Sequence, residues 1–137
     1  MRYIVVFDTN ILLSALFSNT GSPFRCLALA KVGQVESVTC QEILDEFAEK
    51  LLIKFKFSEE KVQESVSDVR AYSRLVKIFG NLQAVEADPD DDMVLECAVI
   101  GNATYIVTGD KHLLRLGHFQ HIAIMKATEF INLLTLQ

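Results

Sequence analysis

Tyr3-Ile4-Val5-Val6-Phe7-Asp8 sets five apolar residues in succession and then breaks on an acid. A strand with one wet face alternates apolar and polar residues. An unbroken β-prone run suits a strand covered on both faces, as in a parallel sheet between helical layers. Asp8 therefore falls at the carboxyl end of a buried strand. Working outward, Val35–Cys40, Leu82–Val85, Tyr105–Thr108 and Ile122–Met125 read as further strands, with Leu82–Val85 the weakest. Helices are predicted between them. One is short, from Asn10 to Phe17. A second runs from Ser22, read as its N-cap with Pro23 next, to Lys31. A third carries Ile43, Leu44, Phe47, Leu51 and Leu52, and a long one runs from Glu59 to about Phe79 behind a Ser58 cap. Another opens in the acidic run and stops at Gly101, and a last one, capped by Thr128, runs through Leu134. Strands alternating with helices need crossovers, and right-handed crossovers put helices on both faces. The expectation is an α/β fold: a three-layer α/β/α sandwich with a central parallel sheet of four to five strands, in one domain spanning residues 1–137. Ligands of such sheets bind beyond the carboxyl ends of the strands, where strand order reverses. Asp8 lies at one such end and Asp110, in Val107-Thr108-Gly109-Asp110, just past another.

The chain has 137 residues, half of them hydrophobic, and a net charge of -5. That balance excludes a protein that coats nucleic acid by charge alone. It does not exclude a nuclease, because bound cations invert the local potential. No apolar run is long enough to span a membrane, and Asp8 interrupts the N-terminal run too early for a secretory signal. A cytoplasmic location without membrane attachment is expected. Cys26, Cys40 and Cys97 are odd in number and widely spaced, which suits small buried thiols.

Four acidic positions carry the chemistry: Asp8, Glu46, the run Asp88-Pro89-Asp90-Asp91-Asp92, and Asp110. Like charges gathered in one cleft repel and lose hydration, and a divalent cation is the usual compensation. Each also has a plainer reading. Asp8 could cap the helix after it, although Asn10 could serve instead. Glu46 shares a helix face with Glu42 and could be solvated. The run complements a helix dipole, although four acids exceed that need. Asp110 could cap the segment Lys111–Leu116, where Lys111 and Arg115 could hold a phosphate. His112, His118 and His121 lack the helical pairing of a zinc peptidase and do not argue for a histidine metal site. Arg70, Arg74 and Lys77 are spaced as one helical face, either an ordinary solvated stripe or a track for a nucleic-acid backbone. No P-loop, dinucleotide fingerprint or nucleophile elbow is present.

Phe-Asp-Thr-Asn-Ile-Leu-Leu-Ser-Ala-Leu-Phe from Phe7, Glu-Ile-Leu-Asp-Glu-Phe from Glu42, Asp-Pro-Asp-Asp-Asp-Met-Val-Leu-Glu-Cys-Ala from Asp88 and Val-Thr-Gly-Asp-Lys-His-Leu-Leu from Val107 follow one another in an order that resembles the PIN-domain nucleases. The likeness extends to bacterial VapC-related toxin components of toxin–antitoxin systems, and it runs through the closing Thr-Glu-Phe-Ile-Asn-Leu-Leu. It implies a PIN-like fold and an active site with no acid missing. Carried over position by position, the acids are Asp8, Glu46, Asp91 and Asp110. Glu46 rises above Glu42 because its Glu-Phe step matches the family's Glu-Leu step. Asp91 is selected because Ala98 follows it by seven, with Asp92 the adjacent rival. Asp8, Asp91 and Asp110 would be metal ligands, and Glu46 a ligand or the orienter of the attacking water. Thr9, Asn10, Thr108 and Asp92 would support them.

The resemblance implies a Mg²⁺- or Mn²⁺-dependent endoribonuclease with an RNA substrate and an antitoxin protein as partner. Competing readings are a structure-specific DNA nuclease, a non-catalytic RNA-binding or scaffold module, and a receiver domain. The last is disfavoured because a single acid follows the first strand. A homodimer is expected, with Phe17, Phe55, Phe57 and Phe119 as candidate surface hydrophobes.

Overall fold

The computed structural model describes residues 2–82 and 89–136. Among the described residues there are six strands: β1 (Tyr3–Phe7), β2 (Val35–Cys40), β3 (Ser73–Val76), β4 (Tyr105–Val107), β5 (His118–Phe119) and β6 (Ile122–Met125). They form one sheet in the order β3-β2-β1-β4-β6-β5, parallel except for β5, which runs antiparallel to β6. Val5 and Val6 are fully buried in β1, as is Ile106 in β4, which explains the continuous apolar runs in their sequences. The helices are α1 (Thr9–Phe17), α2 (Ser22–Lys31), α3 (Gln41–Glu49), α4 (Glu59–Ala71), α5 (Pro89–Ile100), α6 (Lys111–Leu116) and α7 (Ala127–Thr135). Steps from β1 to β2 to β3 go one way along the sheet, and the steps from β3 to β4 to β6 go back. Right-handed crossovers then place α1–α4 on one face and α5 and α6 on the other. The reversal falls between β1 and β4, which pair from Val5↔Tyr105 to Phe7↔Val107.

The sheet is larger than expected, and its third strand lies elsewhere. The long helix stops at Ala71, and the following Ser73–Val76 pairs with β2. Ser-Arg-Leu-Val is better suited to a pleated edge than to a helix end, and Ser73 Oγ meets Ser37 Oγ at 2.8 Å across the pair. Leu82 is not in a strand, and the rest of the segment predicted at Leu82–Val85 lies outside the described residues, as does Asp88. The helix through Leu52 ends its regular winding at Glu49 and widens into a π-helical turn at Lys50–Lys54, which keeps Leu51 fully buried.

Local caps are partly redistributed. Ser58 caps α4 as expected, accepting from Lys61 N at 3.2 Å. Ser22 lies inside α2, whose N-cap is Gly21, and Thr128 lies inside α7, whose N-cap is Lys126. Neither of these caps makes a side-chain hydrogen bond. Gly101 ends α5 hard against β2. A Cβ there would run into Val38, and its carbonyl accepts from Arg74 Nη2 at 2.7 Å.

Candidate metal centre

Asp8 leaves the end of β1 and at once caps α1, with its Oδ1 accepting from Thr9 N at 2.7 Å. Its Oδ2 accepts from Thr108 Oγ1 at 2.7 Å and from Asn10 Nδ2 at 3.2 Å. Asn10 in turn accepts from Gly109 N at 2.9 Å, and Thr108 Oγ1 accepts from Asp110 N at 2.9 Å. A closed ring of bonds therefore ties the ends of β1 and β4 together. The plainer reading of Asp8 as a cap is true, and it coexists with this clasp: one oxygen caps while the other faces β4. Asp8 is only 7 % exposed. Burial raises its pKa above the ordinary aspartate value, and Asp110 adds to the rise. The bonds from Thr108, Thr9 and Asn10 work against it.

Asp110 caps α6, its Oδ2 accepting from Leu113 N at 2.9 Å. Asp91, on the first turn of α5, is 4 % exposed. One ligand atom each from Asp91, Asp110 and His112 lies within 4.8 Å of the others. Asp92 is half-buried beside Asp91 on the same turn.

Glu46 projects from α3 on the other side of the acidic group. It pairs with Lys50 at 3.3 Å and lines a cleft of about 370 Å³ with Glu42, Asp45, Glu49, Asp90 and Met93. Its pKa is raised, first by partial burial and then by Asp90 and Asp8, with Lys50 opposing. Because α3 starts from the carboxyl end of β2, and Glu46 shares its cleft with Asp90 on the first turn of α5, Glu46 lies at the same end of the sheet as the clasp. Glu42 is exposed at the rim. Tertiary structure thus separates two glutamates that helical periodicity leaves equivalent.

The basic residues divide differently. Lys111 and Arg115 are exposed on α6, adjoining Asp110. The predicted stripe of Arg70, Arg74 and Lys77 is not formed, because the helix ends between the first two. Arg70 sits at the end of α4 that leads into the start of β3, away from the acids. Arg74 is on the edge strand and is bonded to Gly101 O and to Glu36, at 3.3 Å. A backbone track over these residues loses its geometric basis.

Several contributors escape a sequence reading. His112 is one: the lack of helical histidine pairing argues against a histidine metal site, yet its ring lies beside Asp91 and Asp110. Lys50 is another, legible in hindsight as the i+4 partner of Glu46. Lys126 lines a cavity of about 390 Å³ with Asn10, Thr108 and Gly109. Glu96, buried on α5, accepts from the backbone N–H groups of Phe79, Gly80, Asn81 and Leu82, at 2.6 to 3.4 Å. It fastens the chain after β3 to the helix that bears Asp91.

Comparison with known proteins agrees with this geometry. A family model described as the PIN domain matches residues 4–112. The uncharacterized protein MJ1680 of Methanocaldococcus jannaschii is 29 % identical over 116 residues, covering 82 % of this chain and 74 % of the relative. Among solved structures, a chain of VapBC2 from Rickettsia felis, bound to a DNA fragment from their promoter, superposes with a TM-score of 0.57 at 18 % identity. The match covers 88 % of this chain and 96 % of that one. At that identity the likeness is one of fold.

Proposed function

The chain belongs to the PIN-domain family, whose members are nucleases, and on that premise we propose that it is a Mg²⁺- or Mn²⁺-dependent endoribonuclease acting as the toxin component of a toxin–antitoxin pair. One observation carries the reading. Asp91 and Asp110, remote in sequence, offer ligand atoms within 4.8 Å of one another where strand order reverses, and around them Asp8 lies near enough to Asp110, and Glu46 to Asp8, for each to raise its neighbour's proton affinity.

The donors fit a hard divalent cation: carboxylate oxygens dominate, and the ligand atoms of Asp91, Asp110 and His112 are close enough to share an ion. Asp8, Asp91 and Asp110 would hold it. A bound cation supplies an activated water and stabilises the charge on the departing oxygen. The remaining work belongs to side chains. Thr108 and Asn10 aim Asp8 Oδ2, and Thr9 N fixes Oδ1, so the carboxylate need not reorganise when charge develops. Thr108 also holds Asp110 in register through its backbone N–H. Glu46 has a raised proton affinity and a single lysine partner, which suits orienting the attacking water and taking its proton at a carboxylate oxygen. Asp92 would support the first turn of α5. Lys111 and Arg115 would meet the substrate backbone.

An antitoxin protein and a second copy of the chain are the proposed partners. The fold shared with a VapBC2 chain supports the first. An exposed apolar group supports a protein partner in general: Phe17 is 53 % and Ile53 64 % exposed, and Phe17 stacks on Phe55 at 4.7 Å. None of the described helices is long and apolar enough to cross a membrane, and a cytoplasmic site of action is part of the proposal.

Matched RNA and DNA oligonucleotides incubated with Mn²⁺, Mg²⁺ or chelator, beside Asp8→Asn, test the whole reading. Cleavage of RNA that needs the cation and Asp8 is the expected result. Cleavage of DNA alone would overturn the substrate assignment, and cation-independent cleavage would overturn the centre.

A further inference from the structure

We propose that His112 lends a ring nitrogen to the divalent ion shared with Asp91 and Asp110, and so biases the centre away from Mg²⁺ toward Mn²⁺ and the later first-row ions. The inference rests on the preceding reading that the carboxylates hold a cation. Its basis is the cluster itself, in which a buried carboxylate on α5, a helix-capping carboxylate and an imidazole on α6 present ligand atoms within 4.8 Å of one another. Donors around one small cation at about 2.1 Å stand roughly 3 to 4 Å apart, so a small side-chain adjustment brings the three onto a common ion. His112 Nδ1 already stands 3.9 Å from Asp91 Oδ2. Among the described residues, that approach is the one polar contact of the His112 ring. The ring is half-exposed and the Asp91 side chain almost fully enclosed. The ion would therefore have protein beneath it and an open side toward solvent and substrate.

Magnesium gives up water reluctantly and favours oxygen, whereas imidazole suits ions further along the first transition row. Replacing one oxygen donor by nitrogen is thus a selectivity device. A histidine acting only as a counter-charge to Asp91 would give no bond to the ion and no discrimination between ions.

Pulsed electron paramagnetic resonance of the intact protein with bound Mn²⁺ is the direct test. The expected spectrum shows ¹⁴N hyperfine coupling that disappears in His112→Ala and persists in His118→Ala. In calorimetry, His112→Ala is expected to weaken Mn²⁺ about tenfold and Mg²⁺ less than about twofold. Mn²⁺ bound without nitrogen coupling, or equal weakening of both ions, overturns the assignment of His112 and leaves the carboxylate centre standing. Failure of the parent protein to bind either ion removes the centre and this inference together.

Discussion

The acidic centre is built in two ways. One half, Asp8 with Asp110, stands on strand ends and is locked by Thr9, Asn10, Thr108 and Gly109 through five hydrogen bonds between 2.7 and 3.2 Å. The other half, Glu46, Asp91 and His112, stands on three helices from both sides of the sheet. Two of its contacts are long: 3.3 Å between Glu46 and Lys50 and 3.9 Å between His112 and Asp91. Strand ends of neighbouring parallel strands have one relative geometry, set by the ladder, so polar groups there can be aimed in advance. Helices packed on opposite faces meet only at their termini, where position depends on the whole crossover. The first half is rigid and the second adjustable.

Breaking the rigid half has the largest expected effect. Asp8→Asn should reduce metal-dependent cleavage by about a thousandfold or more, given that both cation and water depend on it, with circular dichroism unchanged. Asparagine can keep the α1 cap, and it removes a buried charge. The metal-free variant should therefore unfold at a higher temperature than the parent near neutral pH.

Breaking the adjustable half comes next. Glu46→Gln is expected to lower kcat by about a hundredfold, with cation affinity measured by calorimetry changed far less than in Asp8→Asn. An equal loss of affinity in both would make Glu46 a ligand rather than the residue that handles the water's proton.

Thr108→Val leaves every acid in place and disturbs only their aim. A loss of about tenfold to a hundredfold in kcat/KM is expected. A matched test on the adjustable side is Lys50→Met, where a loss of a few-fold would confirm that Glu46 is loosely held. If Lys50→Met proves as damaging as Thr108→Val, the contrast between the halves collapses.

Proton linkage gives the smallest and most general signal. Asp8 and Glu46 both have pKa values raised by burial. Folding therefore favours their protonated forms. Their contribution to stability is present below the ordinary carboxylate pKa and is lost as pH rises through the higher folded values. A cation favours the charged forms, so its affinity should increase over the same rise in pH. Thermal midpoints followed against pH in chelator and in Mn²⁺ should converge at low pH and separate upward, and Asp8→Asn should flatten the chelator curve.

Much of the rigid half could be read from residue order. Five apolar residues followed by Asp8, and Val107-Thr108-Gly109-Asp110 after a short β-prone run, are local patterns of burial and chain direction. Alternating elements then require the parallel sheet. Glu46 was less legible, because Glu42 has the same helical periodicity and only packing leaves one at the rim and the other under the fields of Asp8 and Asp90. The helical stripe of Arg70, Arg74 and Lys77 failed for a related reason. Spacing by three and four is meaningful only while the helix lasts, and the pull of the sheet edge ended it at Ala71.

Residue order by itself determined where strands end and which acids end them, since burial of an apolar run is decided by its own composition. Only tertiary structure decided that Asp91 and His112 face Asp110, that β3 starts at Ser73 and that Arg74 points away from the centre. Except for the step from Asp110 to His112, those are distances through space between segments remote in the chain, set by crossover direction and by which helix ends the packed core allows to meet.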